Sequence, residues 1–340
     1  MTISPRSGSP RPIVPDSLRT PTRSVAAGDS AGASGSGSLR GVRLSEVIAV
    51  LEEFYPPAWA ESWDAVGLVC GDPDQEVGRV LFAVDPVAAV VDEALEWGAD
   101  LVVTHHPLLL RGVTGVAATT PKGRLIHRMI TNGVALYTAH TNADVADPGV
   151  SDALARAVGL SGPLHPMVPA ALGDAEAAPG EGGGRGLGRI GELAEPITLA
   201  EFTARVAAGL PATAWGVRAA GDPGRTIRTV AVCGGAGDSL LDTARAAGVD
   251  VYLTADLRHH PASEFAEHDG PALVDAAHWA TEWPWLADAE RRLHAAFAGS
   301  GSAGRAQSWS SPHKQQALDV KTRVSTLVTD AWSLHYEGAK

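Results

Sequence analysis

Two histidines stand side by side in the stretch DLVVTHHPL, residues 100–108. Successive side chains of a strand point to opposite faces, so adjacent imidazoles cannot share one partner while the backbone stays extended. At a strand end, where the chain turns, they can diverge and each serve a different ion. Pro107 helps, because it biases His106 towards an extended backbone and fixes the exit. Three further strand-like runs also close on histidine: ALYTAHTNAD with His140 and Asp144, VYLTADLRHH with His259 and His260, and ALVDAAHWATE with His278 and Glu282. Two adjacent imidazoles together with carboxylates suit a dinuclear site, with cations roughly 3.5–4 Å apart. A carboxylate has two oxygens and can bridge two ions, which an imidazole cannot. Imidazole and carboxylate ligands without thiolate suit Zn, Fe, Mn, Co or Ni, with no choice among them.

Several of these residues carry two readings. His140 either ligates or holds its turn, with Thr141 and Asn142 anchoring that turn through side-chain to backbone hydrogen bonds. Asp144 is a ligand or a plain turn aspartate. Thr281 reads as a helix N-cap, with Glu282 in the first turn and Pro284 tolerated there. Glu282 is then either a ligand or a carboxylate favoured by the helix dipole. His259 and His260 are read as facing the cleft without ligating, and with Asp256 they are candidates for proton transfer or substrate contact. The stretch CGGAGDS (233–239) follows a strand and opens a helix. Its amides either hold an anion or form a tight turn, and it lacks the P-loop lysine and the dinucleotide pattern. In WDAVGLVCGD (63–72), Trp63 and Asp64 line a cleft or pin the loop.

Ligands of open parallel sheets bind just outside the carboxyl ends of the strands, so these residues need strands that all end on one side. LSEVIAVLEEFYP suggests a helix with Ser45 as cap and Pro56 beyond its end. VLFAVD (80–85), VAAVVDEALEWG (87–98) and LVVTH (101–105) then read as strand, helix, strand, which implies a parallel pair. A helix over 122–132 and a strand over 134–140 extend it. The same order returns in residues 227–261. Gly98 matches Gly248 and Thr104 matches Thr254, with four extra residues (255–258) before the second His-His-Pro. That repeat points to a duplicated α/β unit.

The chain has 340 residues, a formal net charge of −12 and a sequence pI near 5.4. The length suggests about two domains. An acidic surface argues against nucleic-acid or anionic-membrane partners. No apolar run reaches the roughly 18 residues of a membrane span. Cys70 and Cys233 are the only cysteines and lie far apart, which indicates neither a disulfide framework nor a thiolate zinc site. A cytoplasmic location is expected. Residues 1–40, rich in Ser, Pro, Gly and Arg, read as a disordered tail, and residues 173–188 as a surface loop.

The blocks WDAVGLVCGD, DLVVTHHPLL, LYTAHTNADVADPGVSDALA, GRIGEL, VAVCGGAGDSLL, DVYLTADLRHHPASE and LVDAAHWATE occur in this order. Together they resemble the NGG-interacting-factor-three-like family, also labelled GTP cyclohydrolase I type 2 homologs. The C-terminal VSTLVTDAW resembles the family's closing strand. Ala65 and Ala331 depart from the family's frequent Asn and Pro, and the large middle insertion of longer relatives is missing.

The resemblance implies two related α/β domains with mixed sheets flanked by helices, and a metal site in the cleft between them. It implies a ring-shaped hexamer and two divalent metal ions per chain. Their ligands fall on His105, His106, Asp144, His278 and Glu282, with Glu282 as the bridge. The expected boundaries are 41–165 with 279–340 for the first domain, 187–278 for the second, and a loop over 166–186. The expected function is a dinuclear metal-dependent hydrolase of a small, nucleotide-like substrate. The alternative is a non-enzymatic metal-binding scaffold, a metal-delivery or regulatory protein. The two differ in spare coordination, since catalytic sites keep an open position and structural sites are closed.

Overall fold

The computed structural model describes residues 41–170, 184–298 and 320–336, all within one compact unit. The tail over 1–40 and residues 171–183 of the two expected loops lie outside the described residues. Among the described residues, no helix is long and apolar enough to cross a membrane.

LVVT (101–104) is apolar without alternation and buried throughout, as a strand covered on both faces must be. It lies in a five-stranded sheet with strand order Lys321–Val324, Arg79–Ala83, Leu101–Thr104, Ala135–Thr138, Gly67–Cys70. The first four run parallel and Gly67–Cys70 is antiparallel. A second sheet of six strands has the order Val217–Ala220, Ala272–Ala276, Val251–Ala255, Thr226–Ala236, Arg189–Thr198, Leu160–His165. Its three middle strands run parallel: Ala272–Ala276, Val251–Ala255 and Thr226–Ala236. The others are antiparallel to their neighbours.

The duplication is visible in the register. Val80 pairs with Leu101 and Leu101 with Ala135; Val230 pairs with Val251 and Val251 with Ala272. Gly98 and Gly248 end the two crossover helices with φ of 72° and 67°, a left-handed region that glycine enters without a Cβ clash. Two residues later Asp100 accepts from Gly78 N and Arg79 N (2.8 and 3.0 Å), and Asp250 from Arg228 N and Thr229 N (2.9 and 2.7 Å). The halves part company after Thr104 and Thr254. The residues that follow are His105–His106 in one and Ala255–Asp256 in the other, and Asp256 turns with φ 56°. The second His-His-Pro therefore opens the helix His259–Ala266 instead of ending a strand.

Three expectations shift. Strand Leu160–His165 pairs with Arg189–Thr198 and so belongs to the second sheet, not the first. The closing strand is Lys321–Val324, which takes only Val324 from VSTLVTDAW. The first helix starts at Leu44, so Ser45 lies inside it, and Glu46 instead accepts from Arg43 N at 2.8 Å.

The helix His278–Ala298 leaves the second sheet and packs on strands of both. One continuous core holds Val80, Phe82 and Leu101 of the first sheet with Val230, Val232 and Val251 of the second. Trp285 of this helix is fully buried and donates from Nε1 to the Tyr55 hydroxyl at 3.0 Å. The halves are thereby fixed to each other by packing.

Burial opposes ionisation of Asp250, but the Thr229 and Arg228 backbone N–H groups outweigh it and hold its carboxyl below the usual range. Its stabilisation is fully present above the unfolded pKa and is lost as pH falls through the lower folded value. Asp250→Ala is expected to lower unfolding free energy by about 1–3 kcal/mol at neutral pH. Urea titrations should show that difference shrinking below the normal carboxylate range.

Candidate metal centre

Thr104 begins the turn at the end of its strand by donating from its hydroxyl to His106 O at 2.9 Å. The two following rings diverge, with planes at 41° and centroids 5.2 Å apart. His105 Nδ1 lies 3.0 Å from Ala139 O. A carbonyl only accepts, so Nδ1 carries the proton and Nε2 is left to face the site. The same device recurs. His106 Nδ1 lies 2.7 Å from Asp85 Oδ1, His278 Nδ1 2.7 Å from Asp256 Oδ2, and His140 Nδ1 2.9 Å from Asp64 Oδ1. Acceptors of this kind orient metal-binding imidazoles and set their tautomer.

The Nε2 atoms converge on Glu282. His278 Nε2 is 2.9 Å and His105 Nε2 3.5 Å from Oε1, and His106 Nε2 is 3.0 Å from Oε2. Asp144 Oδ1 lies 3.6 Å from His105 Nε2, and His106 and His278 meet Nε2 to Nε2 at 3.3 Å. His278 and Glu282 are four residues apart on one helix, hence on one face.

This donor set fits divalent cations. Ligand atoms roughly 2.0–2.2 Å from a common ion stand about 3.0–3.6 Å from each other, and the separations above fall in or next to that range. His105 and Glu282 are 1 % and 3 % exposed. His105 Nε2 is buried without a hydrogen-bond partner, an arrangement that costs free energy unless something else satisfies it. Two overlapping triads, His105–His106–His140 and His106–His278–Glu282, each offer donor atoms within 4.8 Å of one another.

Burial disfavours charge on His106 and His278, yet Glu282 and the carboxylates behind the rings outweigh it. His106 rises to about 10 and His278 to about 11. Burial likewise works against charge on His105, and Glu282 and Asp144 raise it. Burial pushes Asp144 up to about 6. Glu282 is held well below the usual range, because its three imidazole neighbours overcome its burial. Burial keeps His140 low, so its ring is neutral near pH 7. A cation entering this cluster replaces the protons that balance Glu282.

The second sheet supports the site through Gly235. Its φ is +68°, and a Cβ there would lie 2.5 Å from Glu282 Oε1 and 3.2 Å from His278 Nε2. Gly235 N donates to Thr281 Oγ1 at 2.9 Å, and Thr281 donates to His278 O at 2.7 Å. Thr281 is thus inside the helix and not its N-cap: the helix begins at His278, four residues before the expected start at Glu282. The remaining glycines of CGGAG are also close-packed. Gly234 N donates to Ser151 Oγ at 3.3 Å, and a Cβ on Gly237 would meet Thr254 Oγ1 at 2.2 Å. The stretch is not a tight turn throughout: the strand runs on to Ala236, with a register shift between Val232 and Ala236, and only Gly237 turns the chain towards the short helix Leu241–Ala246.

The structure brings His105, His106, Asp144, His278 and Glu282 together, with His140 beside them. His140 also holds its turn through Asp64, which pins the WDAV loop. Asp256 reaches the cluster only through the far side of the His278 ring. His259 and His260 do not reach it. Their exposed rings touch each other, with centroids 5.3 Å apart, and among the described residues neither bonds to any of the five. Asp85 was not singled out from sequence. It ends the VLFAVD run, so its place at a parallel strand's carboxyl end was the available signal. The Thr329 hydroxyl donates to its second oxygen.

Fold and site together define a mixed α/β protein with an imidazole–carboxylate cluster in the cleft between two sheets. A family model described as Duf34/NIF3 (NGG1p interacting factor 3) matches residues 42–306, and the chain belongs to this family. A Streptomyces coelicolor protein named GTP cyclohydrolase 1 type 2 homolog is 56 % identical over 297 residues, covering 87 % of this chain and 96 % of that one. A Mycobacterium tuberculosis protein of the same name is 41 % identical, covering 87 % and 98 %. The crystal structure of a Bacillus cereus protein related to NIF3 matches with a TM-score of 0.73 at 25 % identity, over 86 % of this chain and 99 % of that one.

Asp85→Ala frees the His106 ring and should weaken metal binding by about 10–100-fold, measured by competition with a chromogenic chelator. Gly235→Ala should displace the Glu282 carboxylate and lower metal content with little change in far-UV circular dichroism. Because protons occupy the imidazoles of the metal-free site, metal binding should release protons and weaken as pH falls. Calorimetry in buffers of different ionisation enthalpy checks this.

Proposed function

We propose that this chain is a dinuclear metal-dependent hydrolase of a small, nucleotide-like substrate, working as a homohexamer. One observation carries the reading: three imidazoles, each fixed from behind through Nδ1, turn Nε2 towards a single buried carboxylate, with a second carboxylate alongside. Held there by His105, His106, Asp144, His278 and Glu282, a pair of divalent ions would supply hydroxide near neutral pH and polarise the bond under attack.

The chain's own residues supply placement and charge. Glu282 turns one oxygen to His278 and His105 and the other to His106, the disposition a bridging carboxylate needs. His105 and Glu282 close the floor, and Trp285 covers the His105 ring at 5.3 Å between centroids. The side chains of His106, Asp144 and His278 are 22 %, 23 % and 31 % exposed, so the open side of the cluster lies with them. Five ligands shared by two ions would leave positions for water and substrate, which favours chemistry over a closed storage site. Asp256 acts through His278 as a positioning residue. The name borne by the relatives supports a nucleotide-like substrate.

The protein purified without added metal should contain close to two ions per chain. It is then loaded separately with Zn, Mn, Fe, Co or Ni and screened against nucleotides, phosphoesters and cyclic amides. Turnover by at least one class, abolished in Glu282→Gln, is expected. Two ions per chain with no turnover of any class would favour the scaffold reading instead. Mass measurement by light scattering checks the hexamer.

A further inference from the structure

Trp63 is 58 % exposed and belongs to the loop that leads to the cluster. Its ring meets His140 edge to face, with centroids 6.1 Å apart and planes at 81°. His140 in turn lies 5.2 Å from His105 and 5.7 Å from His106, centroid to centroid. One imidazole therefore separates the indole from the donor cluster.

Single exposed apolar side chains are ordinary. What distinguishes Trp63 is its place, its rigidity and its lack of a cover. The chain is tied down on both sides of it. Glu61 N donates to Thr141 Oγ1 at 2.9 Å, and Asp64 N to Glu61 O at 2.9 Å. The Asp64 side chain is fully buried and accepts from His140 Nδ1, from Ala65 N at 2.7 Å and from Thr141 N at 3.0 Å. The same His140–Thr141 segment thus positions both the imidazole beside the cluster and the loop that carries the indole. Of the exposed or half-buried tryptophans among the described residues, three have a guanidinium over the ring (Arg185 on Trp59, Arg323 on Trp97 and Arg218 on Trp215, at 4.2, 4.5 and 4.4 Å), and Trp332, 60 % exposed, lies against Trp215 at 6.0 Å, away from the cluster. Trp63 has no such partner among the described residues. A rigid, uncovered aromatic face beside a reactive centre is what stacking with a planar ring requires.

We infer that Trp63 is a specificity-determining residue, and that the substrate carries a planar heteroaromatic ring that stacks on this indole while its polar part reaches the metal cluster. The inference rests on the metal-site reading above and narrows its substrate class. Asp64 is the residue that positions the platform, through His140 and Thr141.

Titration calorimetry of the metal-loaded full chain with guanosine 5′-monophosphate and with ribose 5-phosphate tests this, since both present the same phosphate and sugar and only one carries a ring. Tighter binding of the nucleotide is expected. Trp63→Ala should weaken nucleotide binding about 5–150-fold, with ribose 5-phosphate binding and metal content unchanged, and Trp63→Phe should recover most of the loss. Equal affinity of wild type for the two probes, or equal nucleotide affinity of wild type and Trp63→Ala, overturns the inference. So does loss of metal in Trp63→Ala, which would make Trp63 a support for His140. A fall in assembly mass in that variant also overturns it, since a second copy would then be what covers the indole. Ring-dependent binding lost in Trp63→Ala but without turnover of any nucleotide sustains the stacking role and counts against the hydrolase reading alone.

Discussion

A carboxylate that is 3 % exposed cannot remain ionised without partners, because removing such a charge from water costs several kcal/mol even after relaxation. Glu282 is that group, and the surrounding structure answers to it. Three imidazoles face it, and each is held in place by an acceptor from elsewhere in the chain. Ala139 comes from the end of the neighbouring strand, Asp85 from the strand on the other side, and Asp256 from the second sheet. No single element can supply this ring of groups. The two sheets must meet with their parallel strands ending on a common cleft, and the core that runs through both of them fixes that relation.

The duplicated unit accounts for how such a cleft arises. Both halves repeat a strand, a crossover helix ended by a left-handed glycine, and an aspartate that ties two strands together. After the shared threonine they diverge. One half places His105 and His106 at the strand end, and the other places Ala255 and Asp256. The second half thereby contributes an acceptor that steers a ring where the first contributes the rings themselves. Glu282 and His278 then enter from the helix after the last parallel strand, and Gly235 leaves the space that the carboxylate fills.

Much of this could be read in the residues because it is local. The unbroken apolar run LVVT, the Gly-x-Asp spacing after each crossover helix, and histidines at strand ends all depend on neighbours in sequence. The five clustered side chains follow from the same strand-end logic, and the family resemblance agrees with them. The pieces that escaped are held by distant contacts. Thr281 looks like a cap because hydroxyls before an acidic residue favour that role, but Gly235 N occupies its oxygen and the helix starts earlier. LSGPLH carries Gly and Pro, poor strand formers, and becomes an edge strand only because Arg189–Thr198 offers it a partner. Asp85 is a single acidic residue after an apolar run, and only the folded chain shows that it steers His106. His259 and His260 repeat a motif without repeating its place, since four extra residues carry them onto a helix.

Anomalous diffraction from crystals of the metal-loaded protein tests the central claim most directly. Two peaks roughly 3.5–4 Å apart are predicted, both within bonding distance of Glu282 and flanked by the Nε2 atoms of His105, His106 and His278. A single peak, or peaks bound elsewhere with these nitrogens left uncoordinated, would contradict it.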